Sequence, residues 1–362
     1  MPSIEFRGVS KVYDDGDGLQ PPDLFIGADE FVAVVGPSGS GKSTIIRLIA
    51  GLERPDHGDI LFDGSVVNDI PTHARGIGMV VSTGALYSKL TAEANIGFPL
   101  QVANVKAADR KERVRKTASR FSVRSILSRK PQQLSVGERQ LVATGRATIR
   151  DTSIVLFDEA LSGIDPHRRQ AVKNELRSLH RERHTVLFAT NSQDEAMAMS
   201  TLLIILNDGR VQQIAAPLDA YRRPANAFVA SFLGDPGMNL LPGAIVAPGR
   251  LALGDDELDM PASGRVGPVL VGIRPEHVRL AEPSTPFTRC LHARAMHVER
   301  LGADSIIHVA FGSADSGSVD FAVRSRHPRV PQVGENVELA VDVDHVTLFE
   351  ATTGDRIGAD IR

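Results

Sequence analysis

The stretch "GPSGSGKST" constrains this chain more tightly than any other. It runs Gly36, Pro37, Ser38, Gly39, Ser40, Gly41, Lys42, Ser43, Thr44 and satisfies the spacing G-x-x-x-x-G-K-[ST]. It lies directly between an apolar run, "FVAVV" (31–35), and a helix-like "STIIRLIAGL". Strand, glycine-rich loop and helix in that order form a phosphate cradle. The glycines let the backbone curl so that successive N–H groups and the helix N-terminus face an anion. Lys42 adds a point charge suited to β and γ phosphates, and Ser43 offers a hydroxyl to Mg²⁺.

The same logic extends along the first 235 residues, where apolar runs alternate with helical patterns. "FVAVV", "SIVLFDE" (153–159) and "TVLFAT" (185–190) are continuously apolar rather than alternating. Strands buried on both faces read this way, so an α/β fold with a parallel sheet under helices is predicted. "IVLFDE" delivers Asp158 and Glu159 at the C-terminal end of its strand, where ligands bind in open α/β sheets. Asp158 is expected to hold hydrated Mg²⁺, and Glu159 to orient and polarise an attacking water as the catalytic residue. ATP and Mg²⁺ are the cofactors this implies.

A helical stretch from about 92 to 150 carries ten basic residues against two acidic ones in "VKAADRKERVRKTASRFSVRSILSRK". It is read as a solvated helix face, with anionic lipid headgroups as the second reading. Nucleic acid is not expected as a partner, because the stretch lacks the repeated aromatic residues on which bases stack. The formal net charge of -3 agrees, giving no global basic field. The single cysteine, Cys290, excludes an internal disulfide framework. The start has no signal pattern and no run approaches the length of a membrane span, so membrane contact is expected through a partner only.

Composition changes at "LGDPGMNLLPG" (233–243), which suggests a domain boundary near 235. Short β-type runs follow, among them "VLVGI", "SIIHVAF" and "VELAVDV", as in a small β-barrel or sandwich over 236–362.

"LSVGERQLVATGRA" from Leu134, between the phosphate loop and "FDEALSGID", resembles the signature segment of ATP-binding-cassette ATPases, whose pattern is LSGGQ. The chain as a whole resembles the ATPase subunits of carbohydrate ABC importers of the maltose and trehalose type. "GIGMVVSTGALYSKLTAEANIGFPL", "LNDGRVQQIAAPLDAYRRPANAFVASFLGDPGMNLL" and "VGIRPEHV" carry that likeness. The resemblance implies a cassette over 1–235, with a helical subdomain at about 92–150, followed by an all-β OB-like regulatory domain. It implies a peripheral protein on the cytoplasmic face of the membrane, with two membrane-spanning permease subunits and a solute-binding protein as partners. It further implies a second ABC ATPase subunit, identical copy or consensus paralogue, whose signature closes over each ATP.

By the same resemblance Tyr13 stacks on adenine, and Ser135, Val136, Gly137 and Glu138 face the partner's ATP. Asp165 is the D-loop aspartate, and Tyr87 lies where permease loops are gripped. Three departures stand out. Ser82 replaces the Q-loop glutamine, Val136 and Glu138 replace signature Gly and Gln, and Asn191 replaces the switch histidine. Serine is short, valine obstructs close backbone approach, and asparagine cannot carry histidine's positive charge. Glu138 has a second reading: Ser135-x-x-Glu138 is an N-terminal capping box. Two functions are consistent with this pattern. One is an importer ATPase of reduced activity; the other is a hydrolysis-poor structural or regulatory subunit paired with a consensus ATPase.

Overall fold

The computed structural model describes residues 2–13, 18–20, 23–81, 84–150, 152–161, 164–182, 184–261, 265–281, 290–312, 319–327 and 330–358. Chain contacts divide it into two compact units, Met1–Asp219 and Ala220–Arg362.

In the first unit a six-stranded sheet runs in the order Arg210–Ala215, Leu202–Asn207, Phe31–Val35, Thr185–Ala189, Ile154–Asp158, Ile77–Val80. All neighbours are parallel except the antiparallel edge strand Arg210–Ala215. Every residue of the three central strands is buried. Side chains alternate across a strand, and the two faces feed different cores. Ile154 and Leu156 pack with Ile45, Leu48 and Ile49 of the helix Lys42–Ala50, while Val155 and Phe157 pack with Ile96, Leu141 and Leu176 on the other side. This double burial is why the strand sequences show no polar alternation.

A second, antiparallel sheet built on Ile4–Val12 and His57–Phe62 closes the first face. On the other lie the helices Ala92–Val102, Ala107–Arg120 and Val136–Thr148. The basic helix Ala107–Arg120 buries only Val114, Thr117 and Ala118, and Lys116 pairs with Glu112 one turn back. Most of its charges form a solvated face.

The second unit contains two five-stranded antiparallel sheets around one apolar core that includes Leu241, Val271, Leu291, Phe321 and Leu339. The chain crosses between these sheets at two neighbouring turns. Residues 274–277 lead from the strand Gly267–Ile273 to Val278–Leu280, and 342–346 lead from Asn336–Val341 back to Thr347–Glu350. The short helix Ala227–Phe232 and residues around Tyr221 are fastened here by buried Arg274. Its guanidinium donates to the carbonyls of Tyr221 (2.8 Å), Ala230 (3.0 Å) and Leu233, and lies 3.8 Å over the Tyr221 ring. The division at Asp219 therefore falls ahead of the glycine- and proline-rich stretch at which composition changes.

Candidate functional site

The loop after Phe31–Val35 is shaped by steric necessity. A Cβ on Gly36 would lie 2.2 Å from the Leu206 carbonyl oxygen and 2.5 Å from Ser40 Oγ, and Gly41 has φ 98°. Only glycine fits both. Lys42 closes the loop by donating from Nζ to the carbonyls of Gly36 (2.9 Å) and Pro37 (2.7 Å). Burial lowers its pKa, opposed by the carboxylates of Glu159 and Asp158. Ser40 Oγ is buried and without a hydrogen-bond partner among the described residues. A buried hydroxyl without a partner beside a cradle that no Cβ could enter fits a bound phosphate oxygen.

Asp158 ends its strand with Oδ1 accepting from Ser43 Oγ at 2.8 Å. The pair supplies two hard oxygen donors, the chemistry that Mg²⁺ selects. Glu159 follows at φ 51°, a left-handed backbone held by its N–H donating to the Ala189 carbonyl. Its Oε1 accepts from Asn191 Nδ2 at 2.7 Å. Thus Lys42, Ser43, Asp158, Glu159 and Asn191 come together at the C-terminal edge of the parallel strands. Tyr13 lies against the same helix, its hydroxyl 3.1 Å from Thr44 Oγ1 and hydrogen-bonded to Glu53. Its pKa is raised, first by burial and then by Glu53.

Beside Glu159 and Asn191 is a cavity of about 150 Å³ whose lining includes Arg169, Thr190 and Glu195. Glu195 was not singled out from sequence. It is buried, accepts from Thr190 Oγ1 (3.3 Å), and pairs with Lys173 (3.3 Å), so it holds the turn that presents Asn191. Its signal was Ser192-x-x-Glu195, since Ser192 caps the following helix by accepting from the Glu195 N–H. Asn95 was also missed. Wholly buried, it accepts from the Tyr87 N–H and donates to the carbonyls of Tyr87, Leu90 and Thr91. It thereby shapes the loop on which Tyr87 stands exposed, packed on Phe98 and beneath Arg146.

The signature residues form a separate group at the start of the helix Val136–Thr148. The capping box is complete: Ser135 Oγ accepts from the Glu138 N–H (3.2 Å), and Glu138 Oε2 accepts from the Ser135 N–H (2.9 Å). Glu138 Oε1 lies 3.9 Å from Arg129, and Val136 is 58% exposed. Asp165 is exposed, immediately before the helix Pro166–Arg181. Ser82 lies outside the described residues.

A phosphate loop, an acidic pair at the end of the strand next but one in the same sheet and a capped signature helix, joined to a β-rich second unit, define a cassette-type nucleotide-binding protein. The ABC transporter family model matches residues 19–162, and the TOBE domain model matches 271–349. The chain belongs to the ABC transporter ATP-binding protein family. It is 39% identical to the sn-glycerol-3-phosphate import ATP-binding protein UgpC 1 of Rhizobium johnstonii, covering 98% of this chain and 96% of the relative. A putative ATP-binding protein of Brucella abortus is 38% identical over 98% of this chain and 99% of its own length. Among solved structures, the dimeric post-hydrolysis state of the cassette MJ0796 bound to ADP and Pi is similar. It has a TM-score of 0.54 and 27% identity, covering 59% of this chain and 98% of that one.

Proposed function

We propose that this chain is the ATP-binding subunit of an ABC importer for a carbohydrate-class solute, a disaccharide or a phosphorylated polyol such as the one named for its relatives. Lys42 and the loop N–H groups bind the triphosphate, with Ser40 Oγ as a further donor. Ser43 and Asp158 would hold Mg²⁺, which would supply charge neutralisation at the phosphates. Glu159 orients the attacking water and accepts its proton. Tyr13 borders the adenine side, and Asp165 and Ser135–Glu138 meet a second cassette. The Tyr87 loop grips cytoplasmic loops of the permease, which has two membrane-spanning subunits, holding the protein at the cytoplasmic face of the membrane, and a solute-binding protein delivers the cargo.

Hydrolysis by the homodimer is slow in this reading. The observation that carries it is the 2.7 Å bond from Asn191 Nδ2 to Glu159 Oε1. A neutral amide occupies the position of a cationic switch and commits one of its two N–H donors to the catalytic carboxylate. If the missing contacts are worth about 3 kcal/mol in the transition state, the rate falls roughly two orders of magnitude. Pairing with a consensus cassette separates the defects. One site then has this chain's loop, Glu159 and Asn191 facing a sound signature, and the other has a sound loop facing Val136 and Glu138.

The test is phosphate release by the purified protein, by Glu159→Gln, and by a variant carrying Ser82→Gln, Val136→Gly, Glu138→Gln and Asn191→His. The expected order places wild type well below the restored variant and above Glu159→Gln. Equality of wild type and restored variant would refute reduced activity. Equality of wild type and Glu159→Gln would favour a purely structural subunit.

A further inference from the structure

Both crossover turns of the β unit bring imidazoles and a carboxylate to one place. His277 ends the first turn; Asp342 opens the second and His345 ends it. One ligand atom from each residue lies within 4.8 Å of the others. The rings of His277 and His345 meet edge to face, with centroids 4.1 Å apart, and His345 Nδ1 is 2.9 Å from Asp342 Oδ2.

Backbone bonds preset this arrangement. The Asp342 N–H donates to the His277 carbonyl at 2.9 Å, so the two turns are locked to each other at the cluster. His277 and His345 each close their own turn, donating to the carbonyls of Arg274 and Asp342. Strand pairing flanks the cluster on both sides, through Val278 with Val341 and Gly272 with Thr347. Little conformational freedom remains to be lost when the three side chains share a ligand.

One feature of the cluster is unsatisfied. His277 Nδ1 is buried and has no hydrogen-bond partner among the described residues, a condition that an ion or an ordered water relieves. The surrounding charges also suit a cation. Glu276 and Asp342 in the two turns act on His277 against Arg274, whose guanidinium is engaged by carbonyls and the Tyr221 ring.

We propose that His277, Asp342 and His345 form a three-ligand site for a borderline divalent transition-metal ion of the Zn²⁺ class, with a remaining position open to solvent. Two imidazoles and one carboxylate select Zn²⁺-like ions over Mg²⁺ or Ca²⁺, which take oxygen donors. Tetrahedral coordination at about 2.0–2.1 Å places ligand atoms about 3.4 Å apart, so atoms up to 4.8 Å apart need to close by at most about 1.4 Å. The ion would clamp the only two described connections between the sheets of the β unit and make its stability metal-dependent.

The test uses the full chain, stripped with chelator and titrated with Zn²⁺ alone by calorimetry. The proposal expects saturable binding, weakened at least about tenfold in His345→Ala and in Asp342→Ala. Both side chains are half exposed or more, so these variants should fold, and circular dichroism checks that they do. His308→Ala removes a partly exposed histidine paired with Glu299 elsewhere in the unit and should leave affinity unchanged. Independently of any variant, Co²⁺ should give the visible absorption bands of a low-coordinate histidine site. Absence of saturable binding, unchanged affinity in both His345→Ala and Asp342→Ala, or a purely octahedral Co²⁺ spectrum would each overturn the assignment.

Discussion

Replacing Glu138 with Gln separates a structural role from an electrostatic one, because glutamine also completes a capping box. The carboxylate accepts from Ser135 at 2.9 Å and lies 3.9 Å from Arg129. At an effective dielectric of about 20, and about 8 Å from one unit of charge on a partner-bound triphosphate, its repulsion is about 2 kcal/mol. Arg129, about 4 Å farther away, returns about 1.4 kcal/mol of attraction, leaving the pair only weakly repulsive. Salt weakens both effects. With a Debye length of about 8 Å at physiological ionic strength, the carboxylate's repulsion falls to about 0.8 kcal/mol and the arginine's attraction to about 0.3 kcal/mol. A homodimer contains two such contacts. Glu138→Gln should therefore tighten ATP-dependent dimerisation about fifteenfold, and Arg129→Ala should weaken it about threefold, with both effects growing at low salt. The assay is analytical ultracentrifugation with Mg-ATP in a Glu159→Gln background, at two ionic strengths. An unchanged dimer affinity for Glu138→Gln at both salt concentrations would show that the residue only caps its helix and that no phosphate approaches it.

Two further outcomes concern the buried Asn95 and the partly buried Tyr221. Asn95→Ala leaves the carbonyls of Tyr87, Leu90 and Thr91 and the Tyr87 N–H without their side-chain partner; a loss of about 3 kcal/mol is expected, lowering the melting temperature of the first unit by about 6–10 °C in calorimetry. Tyr221 has its pKa pushed up to about 12, first by burial and then by its bond to Glu276. Its neutral form is favoured in the fold, so its contribution is complete below about pH 10 and is lost as pH rises towards 12. Spectrophotometric titration should show a tyrosine that ionises near pH 12, and Tyr221→Phe should remove that step.

What could be seen in advance was chemistry carried by contiguous residues. The phosphate loop lies between its own strand and helix, Asp158 and Glu159 end an apolar run, and Ser135 and Glu138 meet within one turn. Their geometry is local, so their spacing encodes it. Other features depend on partners distant in the chain. Tyr13 reaches Thr44 and Glu53 through its hydroxyl, which an expectation based on its ring alone does not anticipate. Asn95 is an ordinary polar residue in a helical pattern until the loop at 87–91 folds over it. The residues around Tyr221 and the helix Ala227–Phe232 pack in the second unit because Arg274 seeks their carbonyls, a preference no compositional boundary reveals. His277 and His345 become neighbours only through the pairing of the strands that flank them.

The clasp between Lys42 Nζ and the carbonyls of Gly36 and Pro37 has a thermodynamic consequence. A cradle held by its own lysine has already met the cost of ordering, so an arriving nucleotide exchanges one set of oxygen acceptors for another instead of folding a loop around itself. Association of that kind is governed by diffusion and charge, and it carries only a small heat-capacity signature because little apolar surface changes hands.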